Sequence, residues 1–188
     1  MASVGAVSSQ RYVALLRAVN LGARNKVSMK DLRALCEGLG LEDVTTYVQS
    51  GNVVFTSPAG SETEITAQIE RELDSRLGLA VTVFVRSGEQ LAEIVAANPF
   101  SDSGSPPTSL HVTFLTSEPA ADGVTELATE NFEPDEFEVV GREVYLHCPE
   151  GYGRSKLSNA YFERKLGVVG TTRNWRTVTT LAELAQGE

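Results

Sequence analysis

The sequence predicts an α+β fold made of two successive βαββαβ-type units with a C-terminal helix, and three observations predict it. Short β-rich runs alternate with amphipathic helical stretches along all 188 residues. Reciprocal Ser-x-x-Glu/Gln capping boxes mark helix starts at Ser61 and Ser87. A breaker-rich stretch, residues 101–109 with Gly104 and Pro106-Pro107, then separates two halves in which the same order of elements recurs.

Each element follows from local pattern. Residues 12–17 form a short apolar strand. Ser28 then opens a helix whose Met29, Leu32, Leu35, Cys36 and Leu39 share a face, with Asp31 completing a carboxylate version of the capping box. Gly38 and Gly40 close it. Residues 44–49 and 52–56 are β-rich and are separated by Ser50-Gly51, the spacing of a two-residue hairpin. Ser61 and Glu64 precede a helix whose Ile65, Ile69, Leu73 and Leu77 recur every four residues, a stripe that faces a core. Val81, Val83 and Val85 alternate as in a strand, and the Ser87 box starts a short helix that Asn98-Pro99 ends.

After the breaker stretch, residues 110–116 read as a strand, 121–130 as a weak helix, and 137–140 with 144–148 as a hairpin turning at Gly141-Arg142. Ser155 caps a helix ending at Gly167. Residues 168–169 are a candidate edge strand before a last helix with Trp175, Val178, Leu181 and Ala185 facing inward. Both halves thus have the order of a ferredoxin-like split βαβ unit. The expected division is a flexible stretch over residues 1–10, units at 11–100 and 110–188 packed together, and a linker at 101–109.

An apolar content of 41% suffices for one sizeable core or two small ones. No run approaches the roughly 20 apolar residues of a membrane span. Residues 1–10 lack the basic start and apolar centre of a signal peptide, so the chain reads as cytoplasmic with no membrane partner. Cys36 and Cys148 have neither CxxC spacing nor nearby metal ligands; free thiols are expected, with no metal site and no cofactor. The sequence leaves the oligomeric state open.

Charge is the most informative property. The net charge is -9, which opposes general adhesion to nucleic acid or anionic lipid. Yet twelve of the sixteen Lys and Arg residues fall in residues 11–33 and 154–176, each window netting +5 with a single acid, Asp31 or Glu163, while the remainder nets -19. Both windows hold polar, glycine-containing loops. Gly151 and Gly153 let a backbone approach a ligand, Arg154 offers a planar fork for two oxygens, and a helix starting at Ser155 adds unpaired N–H groups beside Lys156. The GxGRSK spacing departs from the four-residue interval of a Walker loop, so triphosphate hydrolysis is not implied.

Thr172, Arg173 and Asn174 repeat the device at the final helix, and Asn20, Asn25 and Lys26 lie in the loop before Ser28. If these loops converge, Arg17, Lys26, Arg154, Lys156 and Arg173 surround one anion, with Ser50 and Asn52 at a hairpin tip as orienting groups. His111 and His147 lack a partner that specifies a catalytic dyad and read as structural. Ser155 with Lys156 reads as a cap rather than a nucleophile with its base, because adjacent residues at a helix start point apart.

Six separated motifs, residues 12–22, 25–29, 46–55, 98–100, 153–157 and 171–177, together resemble the bacterial domain-of-unknown-function family 1697 over about residues 11–184. The family pattern carries a second glycine after Gly22, where this chain has Ala23. The resemblance implies an intracellular α+β protein without an established activity, and names no catalytic residue. The function expected from the residues is binding of a phosphorylated or otherwise anionic small molecule. The alternative is an enzyme using the same cluster to stabilise charge developing on a phosphoryl or acyl group, for which Glu150 is the nearest base. A nucleic-acid adaptor ranks last, given the acidic remainder.

Overall fold

Two four-stranded antiparallel sheets, each accompanied by its own helices, make up the computed structural model of the chain, which describes residues 9–58 and 60–187. The expected flexible arm at residues 1–10 lies, as far as residue 8, outside the described residues. The chain divides into two units: residues up to Leu91 together with those from Leu181 onward, and Ala92–Thr180.

The first unit contains β1 (Gln10–Leu16), α1 (Met29–Gly38), β2 (Glu42–Tyr47), β3 (Asn52–Ser57), α2 (Glu62–Leu77), β4 (Val83–Ser87) and the start of α3 (Gly88–Ala96). Its strand order β2-β3-β1-β4 is that of a ferredoxin-like sheet. The core joins Leu32, Leu35 and Cys36 of α1 and Ile65, Ile69 and Leu73 of α2 to Ala14, Leu16, Val53, Phe55, Val83 and Val85 of the sheet. Three residues of the every-four-residue stripe of α2 are therefore core, as the spacing predicts, whereas Leu77 in the last turn is 37% exposed. β3 and β4 are buried along their whole length, so β4 does not show the exposed alternate positions that Val81, Val83 and Val85 suggest.

Helix starts follow the capping chemistry. Ser61 and Glu64 form the full reciprocal box at α2, and Ser87 and Gln90 exchange bonds of 2.8 and 3.2 Å at α3. At α1, Ser28 accepts from the Asp31 N–H, but the Asp31 carboxylate takes the Ser28 hydroxyl instead of the backbone, so only half of that box forms. The hairpin is also longer than expected. Four residues, 48–51, connect β2 and β3, because Gly51 packs directly on Val19 and Leu16 and the chain reverses around that contact.

The second unit holds the rest of α3, then β5 (Leu110–Leu115), α4 (Ala121–Leu127), β6 (Glu136–Val140), β7 (Glu143–His147), α5 (Asn159–Leu166), β8 (Gly170–Asn174) and the first half of α6 (Trp175–Gln186), with the order β6-β7-β5-β8. Residues 101–109 lie within this unit and end in a 3-10 turn, Pro107–Ser109, that leads into β5. Two expectations change. The last strand is Gly170–Asn174 rather than residues 168–169; it pairs with β5 from His111↔Asn174 to Leu115↔Gly170, and its Thr-Thr-Arg-Asn sequence gives no apolar signal. Helix α5 starts at Asn159 with Ser158 as its cap, three residues after Ser155, because Tyr152–Arg154 forms a 3-10 turn and the Ser155 hydroxyl accepts from the Leu157 N–H at 3.0 Å.

Candidate functional site

Six of the twelve candidate residues belong to each unit. In the first unit the loop over residues 17–28 leaves the C-terminal end of β1. Asn20 organises it: Oδ1 accepts from the Val27 N–H at 3.0 Å, and Nδ2 donates to the carbonyls of Val27 and Gln49 at 2.9 and 2.8 Å. Asn25 donates to the Ala18 carbonyl at 3.4 Å and its own carbonyl accepts from the Asn20 N–H. Ala18, Asn20 and Asn25 all have φ near +50°.

On the neighbouring hairpin, the fully buried Asn52 donates to the Tyr47 carbonyl and the Ser50 hydroxyl, both at 2.9 Å. Asn20 therefore ties the loop to the hairpin, Asn25 braces the loop, and Asn52 with Ser50 braces the hairpin. Arg17 is half-buried, whereas Lys26 is exposed and makes no ion pair among the described residues. Leu21 and Val48 stand out from the same loops at 69% and 49% exposure.

In the second unit the basic loop, residues 148–158, lies at the N-terminal end of β5, the opposite end of its sheet. It is fixed at three points. Cys148 is buried and donates its N–H to Ser109 at 2.8 Å; Tyr152 stacks on His111 with centroids 4.8 Å apart; Leu157 is fully buried in the core. Burial pushes the Cys148 thiol above its ordinary value, with a hydrogen bond from Ser155 opposing, so the thiol stays protonated near neutral pH.

Thr172 is used internally: its hydroxyl lies 2.7 Å from Thr113 Oγ1 and 2.6 Å from Asn159 Oδ1, and it accepts from the Tyr152 hydroxyl at 3.1 Å. Arg173 is 8% exposed and donates to Thr171 Oγ1 and the Thr172 carbonyl; burial lowers its pKa to about 10. Asn174 caps α6, accepting from the Thr177 N–H at 2.8 Å.

The tip of the loop is different. Arg154, Ser155 and Lys156 line a cavity of about 230 Å³ that also takes in Phe132, Glu133, Asp135 and Glu150. The facing turn is held by Asn131 Oδ1 accepting from the Glu133 N–H at 3.0 Å and by the Phe132 carbonyl accepting from Asp135. Among the described residues, none of Arg154, Lys156, Glu133, Asp135 and Glu150 makes an ion pair, although both signs line one small space. Glu133 and Asp135 escape a reading by charge counting, because they count toward the acidic remainder. Their signal in the sequence is the turn-forming Glu133-Pro134-Asp135 run.

Chemically the cavity offers charge and hydrogen bonds. Ser155 Oγ is engaged by the Leu157 N–H and makes no hydrogen bond with Lys156, so no nucleophile stands beside a base there. No group of His, Cys, Asp or Glu suited to a metal ion occurs among the described residues, and no helix is long and apolar enough to cross a membrane.

Comparison with known proteins adds fold and family. The sequence model of a family described as "Protein of unknown function (DUF1697)" matches residues 9–145. No curated protein matches. The conserved bacterial protein SP0830 from Streptococcus pneumoniae has a solved structure similar to this one, with a TM-score of 0.76 and 22% identity over 95% of this chain and 99% of that one. A likeness at that identity establishes the fold.

Proposed function

We propose, from the premise that the chain belongs to the DUF1697 family of proteins of unknown function, that it binds a small molecule bearing an anionic group, which Arg154 and Lys156 hold. The observation that carries this reading is two cationic side chains, free of ion pairs among the described residues, on a loop pinned at Cys148, Tyr152 and Leu157 and bordering a cavity. A guanidinium offers paired N–H donors to a carboxylate or phosphoryl group, and a loop ordered before binding loses little entropy when the ligand arrives.

The helix N-terminus expected beside Arg154 contributes nothing here, since α5 begins at Asn159. Recognition therefore rests on side chains. At 230 Å³ the cavity is smaller than the roughly 300–1,000 Å³ of drug-sized sites, which fits a metabolite of a few heavy atoms.

A charge-assisted hydrogen bond contributes about 1.5–3 kcal/mol, so Arg154→Ala is expected to weaken binding of inorganic phosphate or a short-chain phosphate ester roughly 10- to 100-fold. Titration calorimetry on the full chain measures this. Equal affinities for the wild type and Arg154→Ala, or no heat from any such anion, sink the reading.

A further inference from the structure

We infer that the ligand of this cavity is zwitterionic: an anionic group joined by a short carbon chain to an ammonium, with Arg154 and Lys156 holding the first and Glu133, Asp135 and Glu150 receiving the second. The inference rests on the anion-binding reading and narrows it. Its basis is the count of charges in one small space. Two cations and three carboxylates line the cavity, and among the described residues none of the five is neutralised by an ion pair. A ligand carrying negative charge alone would gain from Arg154 and Lys156 and be repelled by three acids nearby.

A polyanion such as a nucleoside triphosphate or a nucleic-acid strand meets the largest repulsion. A cation alone fails in the reverse way, and a bound metal ion fits poorly, since no three His, Cys, Asp or Glu residues among those described are grouped to hold one. The carboxylates therefore do not focus on a point. They suit N–H donors spread along a molecule, which an amine supplies and a bare ion does not. Phe132 and Pro134, in the same lining, offer apolar surface to the connecting carbons.

The experiment uses two matched pairs of probes on the full chain: phosphoethanolamine against ethyl phosphate, and γ-aminobutyrate against butyrate. Dissociation constants are measured by calorimetry for the wild type, Arg154→Ala, and the double variant Glu133→Gln/Glu150→Gln. Both Glu133 and Glu150 are exposed, so their replacement spares the core.

The expected result is that the ammonium-bearing member of at least one pair binds about 10-fold or more tightly than its partner, a charge-assisted difference. That preference should shrink below about threefold in the double variant, while Arg154→Ala weakens both members. Equal binding of both members, with loss of both in Arg154→Ala, overturns the zwitterion and leaves anion binding standing. Binding of neither member of either pair overturns both. Binding that is indifferent to Arg154→Ala but lost in the double variant points to a cation site, and also overturns both.

Discussion

Asn20 occupies a left-handed backbone position at φ +56° and makes three side-chain hydrogen bonds, two to Val27 within the loop after β1 and one to the Gln49 carbonyl of the hairpin. Asparagine is among the few residues that tolerate that φ while bonding locally. Asn20→Ala is expected to cost about 2–3 kcal/mol in urea unfolding, from lost hydrogen bonds plus backbone strain, and Asn20→Gly should recover only the strain part. Gly51 gives a sharper contrast. A Cβ there would lie 2.5 Å from Val19 Cγ2 and 2.9 Å from Leu16 Cβ at φ +76°, whereas at Gly22, φ +69°, no atom lies within 4 Å. Gly22→Ala should therefore cost only about 1 kcal/mol for the left-handed conformation, and Gly51→Ala at least about twice that. Similar destabilisation of the two would show that packing at Gly51 does not set the hairpin. His111 adds a pH dependence. Burial holds its imidazole below the usual 6.5, with a backbone hydrogen bond at Ser109 opposing, and Nδ1 is buried without a hydrogen-bond partner among the described residues. The unfolded chain thus takes up the proton first as pH falls, so stability is full above about 6.5 and declines from there through the lower folded-state value. His111→Gln is expected to lose less stability than the wild type between about pH 7.5 and 5.5; equal losses would mean that the folded state protonates His111 as readily as the unfolded chain does.

The helix starts were the most legible elements, because capping is a local exchange of bonds between residues three apart. Ser61→Ala should cost about 1 kcal/mol, since it removes the acceptor for the Glu64 N–H and leaves the Glu64 carboxylate bonded only to backbone; a change within error in thermal unfolding would show that the box adds nothing measurable. Ser87 and Gln90 could be read for the same reason. β8 could not. Thr171, Thr172 and Arg173 lack an apolar pattern and become a strand through pairing with β5, a contact some sixty residues away that no local window contains. The displaced start of α5 has a different cause, for Ser155, the expected cap, gives way to Ser158. Ser155 closes the Tyr152–Arg154 turn, whose Tyr152 ring stacks on His111, so the helix begins only after Ser158. A likeness that hydropathy hides appears once the strands are placed. Arg86 and Arg173 are each the fourth residue of the last strand of their sheet, each is nearly buried, each donates to a neighbouring backbone carbonyl, and each precedes a residue that caps the next helix. The repeat is thus one of strand-end chemistry as well as of topology, although the residues around it differ.

At the scale of the whole molecule, the segregation of charge pointed to Arg154 and Lys156, and it hid Glu133 and Asp135, because a count along the chain assigns each residue to a window while a cavity gathers residues from distant ones. Unit boundaries were harder to read for a related reason. The breaker-rich residues 101–109 look like a joint, but the division falls inside α3 after Leu91 and again inside α6 after Thr180, where helical periodicity continues without a break. The consequence is that the first unit needs the end of the chain. Gln186 Nε2 donates to the Gly88 carbonyl at 2.9 Å, and Gly88 packs so closely on Ala185 that a Cβ would lie 2.8 Å from the Ala185 carbonyl oxygen. Leu181, Ala182 and Ala185 are buried as well. Removing residues 181–188 should therefore expose apolar surface and an unpaired carbonyl at the start of α3. In hydrogen exchange, the truncated chain is expected to lose protection first at residues 83–91, while β5 and β7, whose ladder joins Leu110–His147 to Phe114–Glu143, keep theirs. Gln186→Ala, which deletes one hydrogen bond and little else, should reproduce a small part of the same local loss, of about 1 kcal/mol. If truncation instead strips protection evenly from both sheets, the chain unfolds as one cooperative body and the end of α6 has no special relation to the first unit.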